Sequence, residues 1–215
     1  MCILKLENVA YSYEGSTGKV FDHLYYEFEE GKIYAVVGKS GSGKTTLLSL
    51  LSGLENPTEG SVSFKGKDIR TMDRYKYRSN DIGIIFQSYN LLPNLTALEN
   101  VILSMDVARI PCKEKKKRAM ELLKRVGLSE EEAGRRVLKL SGGQQQRVVI
   151  ARTLSYEPEV ILADEPTGNL DKQTEESIIE IFHQLSQEGK CIIIVTHSEE
   201  VALQADRVKE LQKAG

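Results

Sequence analysis

The stretch from Gly38 to Thr46 reads Gly-Lys-Ser-Gly-Ser-Gly-Lys-Thr-Thr. Glycines let a backbone wrap closely around an anion, so that successive N–H groups converge on it. A helix starting directly behind such a loop adds unpaired N–H groups and the positive end of its dipole. At the spacing Gly38-x4-Gly43-Lys44-Thr45, the lysine reaches terminal phosphates and the Thr45 hydroxyl ligates Mg²⁺. Lys39, Ser40, Gly41, Ser42 and Thr46 complete the candidate cradle. A second small-residue turn, Ser141-Gly142-Gly143-Gln144, also opens a helical pattern, but it lacks a lysine and a following hydroxyl at that spacing.

Three further polar features follow short apolar runs. Gln87 follows Asp-Ile-Gly-Ile-Ile-Phe, Asp164 and Glu165 follow Val-Ile-Leu-Ala, and His197 follows Cys-Ile-Ile-Ile-Val-Thr. A carboxylate such as Asp164 suits Mg²⁺, directly or through water. Glu165 is a candidate to polarise an attacking water. An extended segment would point the two carboxylates to opposite sides, giving them separate roles. Gln87 and His197 are weak signals alone and gain meaning from where they fall.

The elements that must position these groups can be read from patterning. Ile33–Val37 and the three runs above are short, apolar and rich in β-branched residues, as expected for strands buried on both faces. The opening stretch to Tyr13 alternates like a half-buried strand, Ser16–Lys19 reads as a turn, and residues 20–30 as another extended stretch. Leu47, Leu48, Leu51 and Leu54, and later Ile178, Ile181, Phe182 and Leu185, recur at helical spacing. Strands alternating with helices imply right-handed crossovers and a mostly parallel sheet, whose carboxyl edge would collect all four polar features. The stretch 89–156 has no strand pattern and at least three helical segments. The Lys113–Arg118 charge run precedes Ala119, Leu122, Leu123 and Val126, and reads as the solvated start of an amphipathic helix.

The chain has 215 residues, net charge −2, 40% hydrophobic and 28% charged residues. That bounds it to one sizeable core and gives no broad electrostatic reason to expect nucleic acid as partner. Cys2, Cys112 and Cys191 are too few and too scattered for a disulfide framework or metal site, which favours a reducing compartment. No leader is visible, and no apolar run approaches a membrane span, so membrane work would need another chain's spans.

Taken in order, the Gly38–Thr46 loop, Leu140–Arg147, Val160–Asp171 and Val195–His197 resemble the ATP-binding cassette (ABC) ATPases over essentially the whole chain. Residues 86–101 and 163–171 further resemble the macrolide-exporter, lipoprotein-releasing and antimicrobial-peptide-resistance branch. The resemblance implies an α/β fold: a P-loop NTPase core with a mostly parallel sheet, an N-terminal antiparallel β subdomain and an inserted α-helical subdomain. Residues 1–88 and 157–215 would form the core and β subdomain, and 89–156 the helical subdomain.

It also implies roles. Tyr13 would stack on adenine, with Tyr11 a competitor. Gln87 would sense Mg²⁺ and the attacking water, Asp164 would hold Mg²⁺ with Thr45, and His197 would contact the γ-phosphate. Ser141, Gly142, Gly143 and Gln144 would form a signature loop capping ATP held by a second copy, and Asp171 would belong to the D-loop. The expected protein is an ATP- and Mg²⁺-dependent ATPase, homodimeric on ATP binding. It would be cytoplasmic, peripheral on the inner membrane face, and would power a transmembrane permease. Leu91, Leu92, Leu95 and Leu98 lie where that permease would dock, with core packing the expectation for most of them. A soluble ATPase of nucleic acid or the ribosome, or a regulator of a cell-division membrane protein, are the alternatives.

Overall fold

The computed structural model describes residues 1–15 and 18–211; Ser16 and Thr17 of the expected turn lie outside the described residues. The chain forms two sheets. Strands β1 (Cys2–Tyr11), β2 (Phe21–Glu29), β4 (Glu59–Phe64) and β5 (Lys67–Asp68) make an antiparallel sheet in the order β2-β1-β4-β5. Strands β3 (Ile33–Val37), β6 (Ile82–Ile85), β7 (Val160–Asp164), β8 (Cys191–Val195) and β9 (Arg207–Glu210) make a second sheet, ordered β6-β7-β8-β3-β9 and parallel throughout.

The apolar runs are buried on both faces, as β-branched strands in a covered parallel sheet must be. Along β8, Ile193 and Val195 join one core with Tyr34, Leu47 and Leu51, while Ile192 and Ile194 join the other with Ile178 and Phe182. Burying each such side chain contributes about 1.5–3 kcal/mol, so the sheet is a rigid floor for whatever stands at its end. Helix α1 (Lys44–Leu51) covers one face and α7 (Lys172–Gln187) the other. Leu47, Leu48 and Leu51 face inward as the spacing predicts, but Leu54 is 50% exposed. The helix ends before it, and Gly53 at φ 69° turns the chain away in the left-handed conformation common after helix ends.

Between β6 and β7 lie α3 (Ala97–Val107), α4 (Lys115–Arg125), α5 (Glu130–Ala133) and α6 (Gly142–Leu154). Before β6, a single turn α2 (Arg74–Lys76) runs into a π-helical turn over Tyr77–Asp81. Thr96, Ser129 and Ser141 each cap a following helix reciprocally with Glu99, Glu132 and Gln144. Ala119, Leu122 and Leu123 of α4 are buried, whereas Arg118 pairs with Glu157 at 2.5 Å on the surface. Among Leu91, Leu92, Leu95 and Leu98 none is fully buried. Leu91 and Leu98 lean on the core and Leu92 is 47% exposed, because the segment before α3 is irregular and has no single inward face. Among the described residues no helix is long and apolar enough to cross a membrane.

Candidate active site

The loop after β3 is held in shape by its own atoms. Gly43 has φ 93°, a conformation that favours glycine, and it directly precedes α1. A Cβ there would lie 2.6 Å from Val20 and 2.8 Å from Phe21, so space as well as torsion requires glycine. Among the described residues the one backbone bond closing the turn is Ser42 N–H to Lys39 O at 3.1 Å. Among the described residues, the amides of Gly41, Gly43, Lys44, Thr45 and Thr46 make no intramolecular hydrogen bond. Five such donors at a helix start form an anion cradle. Lys44 is 8% exposed and folds over it, donating to the carbonyls of Gly38 (2.7 Å) and Lys39 (3.2 Å).

This loop, Gln87, Asp164, Glu165 and His197 line one cavity of about 790 Å³. The parallel register that brings them together pairs Ala163 with Ile85 and with Ile194. Thr45 Oγ1 donates to Asp164 Oδ2 at 3.3 Å. Among the described residues no three His, Cys, Asp or Glu side chains converge on a metal position. A hydroxyl beside one carboxylate suits Mg²⁺, which takes most of its oxygens from phosphates and water. Among the described residues one buried polar atom of a cavity-lining side chain, Glu165 Oε1, lacks a hydrogen-bond partner, as fits a wall shaped around a polar ligand.

Glu165 departs from the extended conformation. Its φ of 46° lies in the left-handed region, so both it and Asp164 face the cavity instead of opposite sides of a strand. Its Oε2 accepts from His197 N–H (3.2 Å) and Thr196 Oγ1 (3.3 Å), and its Oε1 stands 3.5 Å from His197 Nε2. The carboxylate is therefore clamped on one oxygen, with the other 3.5 Å from the His197 ring.

Burial pushes the Asp164 carboxyl above its usual range, against the Thr45 hydroxyl and the Lys44 charge, which pull it down. An acid raised on folding is destabilised in its charged form. Stability is thus lost as pH rises from the unfolded-state pKa through the folded one. Asp164→Asn should accordingly unfold at higher urea concentration than the parent at pH 7 without nucleotide, and the difference should close toward pH 4.

Tyr13 is 52% exposed at the cavity mouth, its hydroxyl 2.6 Å from Thr46 Oγ1, while Tyr11 is 5% exposed in the core. Of the two tyrosines, Tyr13 is the one that lines the cavity. Ser141–Gly143 do not line the cavity. The Ser141 N–H donates to Gln144 Oε1 (2.8 Å), Gln144 N–H to Ser141 Oγ (3.3 Å), and Gln145 N–H to Ser141 O (2.8 Å). The amides of Gly142 and Gly143 stand outside this cap. Gln144 Nε2 donates to Glu132 Oε1 at 2.6 Å, so both ends of that amide are used within the chain. Asp171 caps α7, its two oxygens taking Thr174 N–H (3.0 Å) and Thr174 Oγ1 (2.7 Å).

Sequence reasoning missed Thr167 and Glu175, which line the cavity and are joined by a 2.7 Å hydrogen bond from Thr167 Oγ1 to Glu175 Oε2. Only the return of α7 beneath the turn after Glu165 brings them together.

Residues 21–168 match the ABC transporter family model. The chain belongs to the ABC transporter family. It is of the ATP-binding subunit type. It is 42% identical to the ABC transporter ATP-binding protein YclH of Bacillus subtilis, over 96% of this chain and 92% of that protein. Identity is also 42% to the lipoprotein-releasing system ATP-binding protein LolD of Oleidesulfovibrio alaskensis, over 98% and 93% of the two chains. A dimeric post-hydrolysis structure of the ATP-binding cassette MJ0796 with ADP and phosphate superposes with TM-score 0.88 at 39% identity, covering 98% of this chain and 94% of that one. Within the ABC family, then, the loop at Gly38–Thr46 and the cap at Ser141 belong to one ATPase cassette.

Proposed function

We propose that this ABC cassette drives a membrane-embedded export or extraction complex by closing with a second copy around two ATP molecules. The observation that carries this is the turn at Ser141. Among the described residues its glycine amides have no partner, it heads a helix, and yet it lies away from the chain's own cavity. Half a phosphate site of this kind is completed by another chain's loop. The dimeric cassette to which the chain is similar supports the same arrangement.

In each site the amides of Gly41 and of Gly43 to Thr46, with the Lys44 side chain, cradle the phosphates and Tyr13 stacks on adenine. Thr45 and Asp164, with Gln87 nearby, would hold Mg²⁺, which when bound neutralises charge on the β- and γ-phosphate oxygens. Glu165 orients a water toward the γ-phosphorus and draws off its proton as the new P–O bond forms and the bond to ADP breaks. His197 holds Glu165 and meets the γ-phosphate, and Asp171 caps α7, the helix that carries Glu175. Residues 1–88 and 157–215 serve as the catalytic core, and 89–156 as the helical part that meets the permease around exposed Leu92. The subunit would then sit on the cytoplasmic face of the membrane through its partner. The lipoprotein-releasing relative supports the lean toward extraction.

Light scattering after size exclusion tests the shared site. With Mg-ATP, Glu165→Gln protein should elute as a dimer. Adding Gly142→Val should return it to a monomer that still binds ATP. A dimer unaffected by the Gly142 change would refute the shared site.

A further inference from the structure

Tyr89, two residues beyond Gln87, touches the signature helix at both of its ends. Its carbonyl accepts from Arg152 Nη2 at 3.1 Å, and the neighbouring Asn90 carbonyl accepts from Nη1 of the same guanidinium. Arg152 sits in the last turn of α6. Burial lowers its pKa from the usual arginine range, a desolvation that these two carbonyls offset. The Tyr89 hydroxyl lies against the first residue of the same helix, where a Cβ on Gly142 would stand 3.1 Å from Oη. Helix α6 is roughly 20 Å long, and the Arg152 side chain leans back toward its N-terminus. Tyr89 therefore lies along the helix, gripped below by Arg152 and abutting the Ser141–Gly143 turn above. Asn90, at φ 50°, fixes the chain direction just after it. The tyrosine is half-buried, packs against the hydrophobic core, and its hydroxyl has no hydrogen-bond partner among the described residues.

We infer that Tyr89 is a positioning residue that carries the state of Gln87 at the chain's own cavity to its own Ser141–Gly143 turn. Gln87 lines the cavity, so a shift there on ATP binding moves a segment whose third residue is braced along α6. Where the shared-site reading holds, ATP on one chain then prepares that chain's cap for the other chain's ATP, and the two sites respond to ATP together.

Hydrogen exchange on Glu165→Gln protein, kept dilute enough to stay monomeric, tests this without relying on dimerisation. Mg-ATP should slow exchange at residues 38–46 and also at residues 141–145. Tyr89→Ala should keep the first effect and lose the second. Tyr89→Phe, which keeps the ring, should retain both. As a second readout, Tyr89→Ala should raise the ATP concentration for half-maximal dimer about tenfold, with monomer ATP affinity unchanged. The inference is overturned if Tyr89→Ala keeps the response at 141–145, or if that response is missing before Tyr89 is changed. Absence of any dimer alongside an intact exchange pattern would instead overturn the shared-site reading.

Discussion

Glu165→Gln should lower the steady-state rate of phosphate release roughly 10²–10⁴-fold, the span expected when a general base is removed, with little change in ATP affinity. The substitution is isosteric, and its carbonyl oxygen can take the same two donors that clamp Glu165 Oε2, His197 N–H at 3.2 Å and Thr196 Oγ1 at 3.3 Å. The side chain should therefore stay where it is. What changes is the other atom, now an amide that cannot accept a proton from water. Because the loop at Gly38–Thr46 is untouched, the loss should fall on kcat and spare binding. A variant keeping more than about a tenth of the parent rate would show that the water is activated elsewhere.

Gly43→Ala should abolish detectable Mg-ATP binding and destabilise the fold by roughly 2–4 kcal/mol, as left-handed strain and overpacking combine. The new methyl group would meet Val20 at 2.6 Å and the Phe21 ring at 2.8 and 2.9 Å. Phe21 is 3% exposed and starts β2, so it cannot swing away without opening the junction of the two sheets. The loop must yield instead, and its free amides lose their convergence. Gly41 supplies the control. It also has positive φ, 77°, but a Cβ there meets nothing within 4 Å. Gly41→Ala should bear the strain alone and lose less stability. Urea unfolding with titration of a fluorescent nucleotide separates the two, and equal behaviour would remove the steric argument.

These effects rest on features of unequal visibility in the sequence. The strands that floor the site were legible because each is apolar on both faces, and a parallel sheet sends their following residues to one edge. Strand β9 was not, since Arg207–Glu210 is polar and largely exposed and is held by pairing with β3 alone. The rivalry between Tyr11 and Tyr13 could not be settled by alternation, because both positions are odd and would share a face. β1 ends at Tyr11, which pairs with Phe21, and two residues later the chain has left the sheet. The turned carboxylate of Glu165 was likewise hidden. Its left-handed torsion depends on the bond from its N–H to Val195 O (2.9 Å), a contact from a strand thirty residues away. Thr167 and Glu175 were invisible for the same reason, as their meeting is a property of how α7 folds back.

The bond between Tyr13 and Thr46 has a consequence for selectivity. With its hydroxyl tied down, the tyrosine would, in the proposed stacking role, offer a nucleobase only a flat face, and the only other described residue lining the cavity from the 14–37 segment is Val20. A ring face carries no donor and acceptor code, because every base has a π-surface to stack. Such a mouth would distinguish a nucleotide from other phosphates but would read no base edge. The nucleotide this cassette uses would then be set by whichever nucleoside triphosphate is most abundant around it, and the discrimination the protein does exercise would lie at the phosphate end.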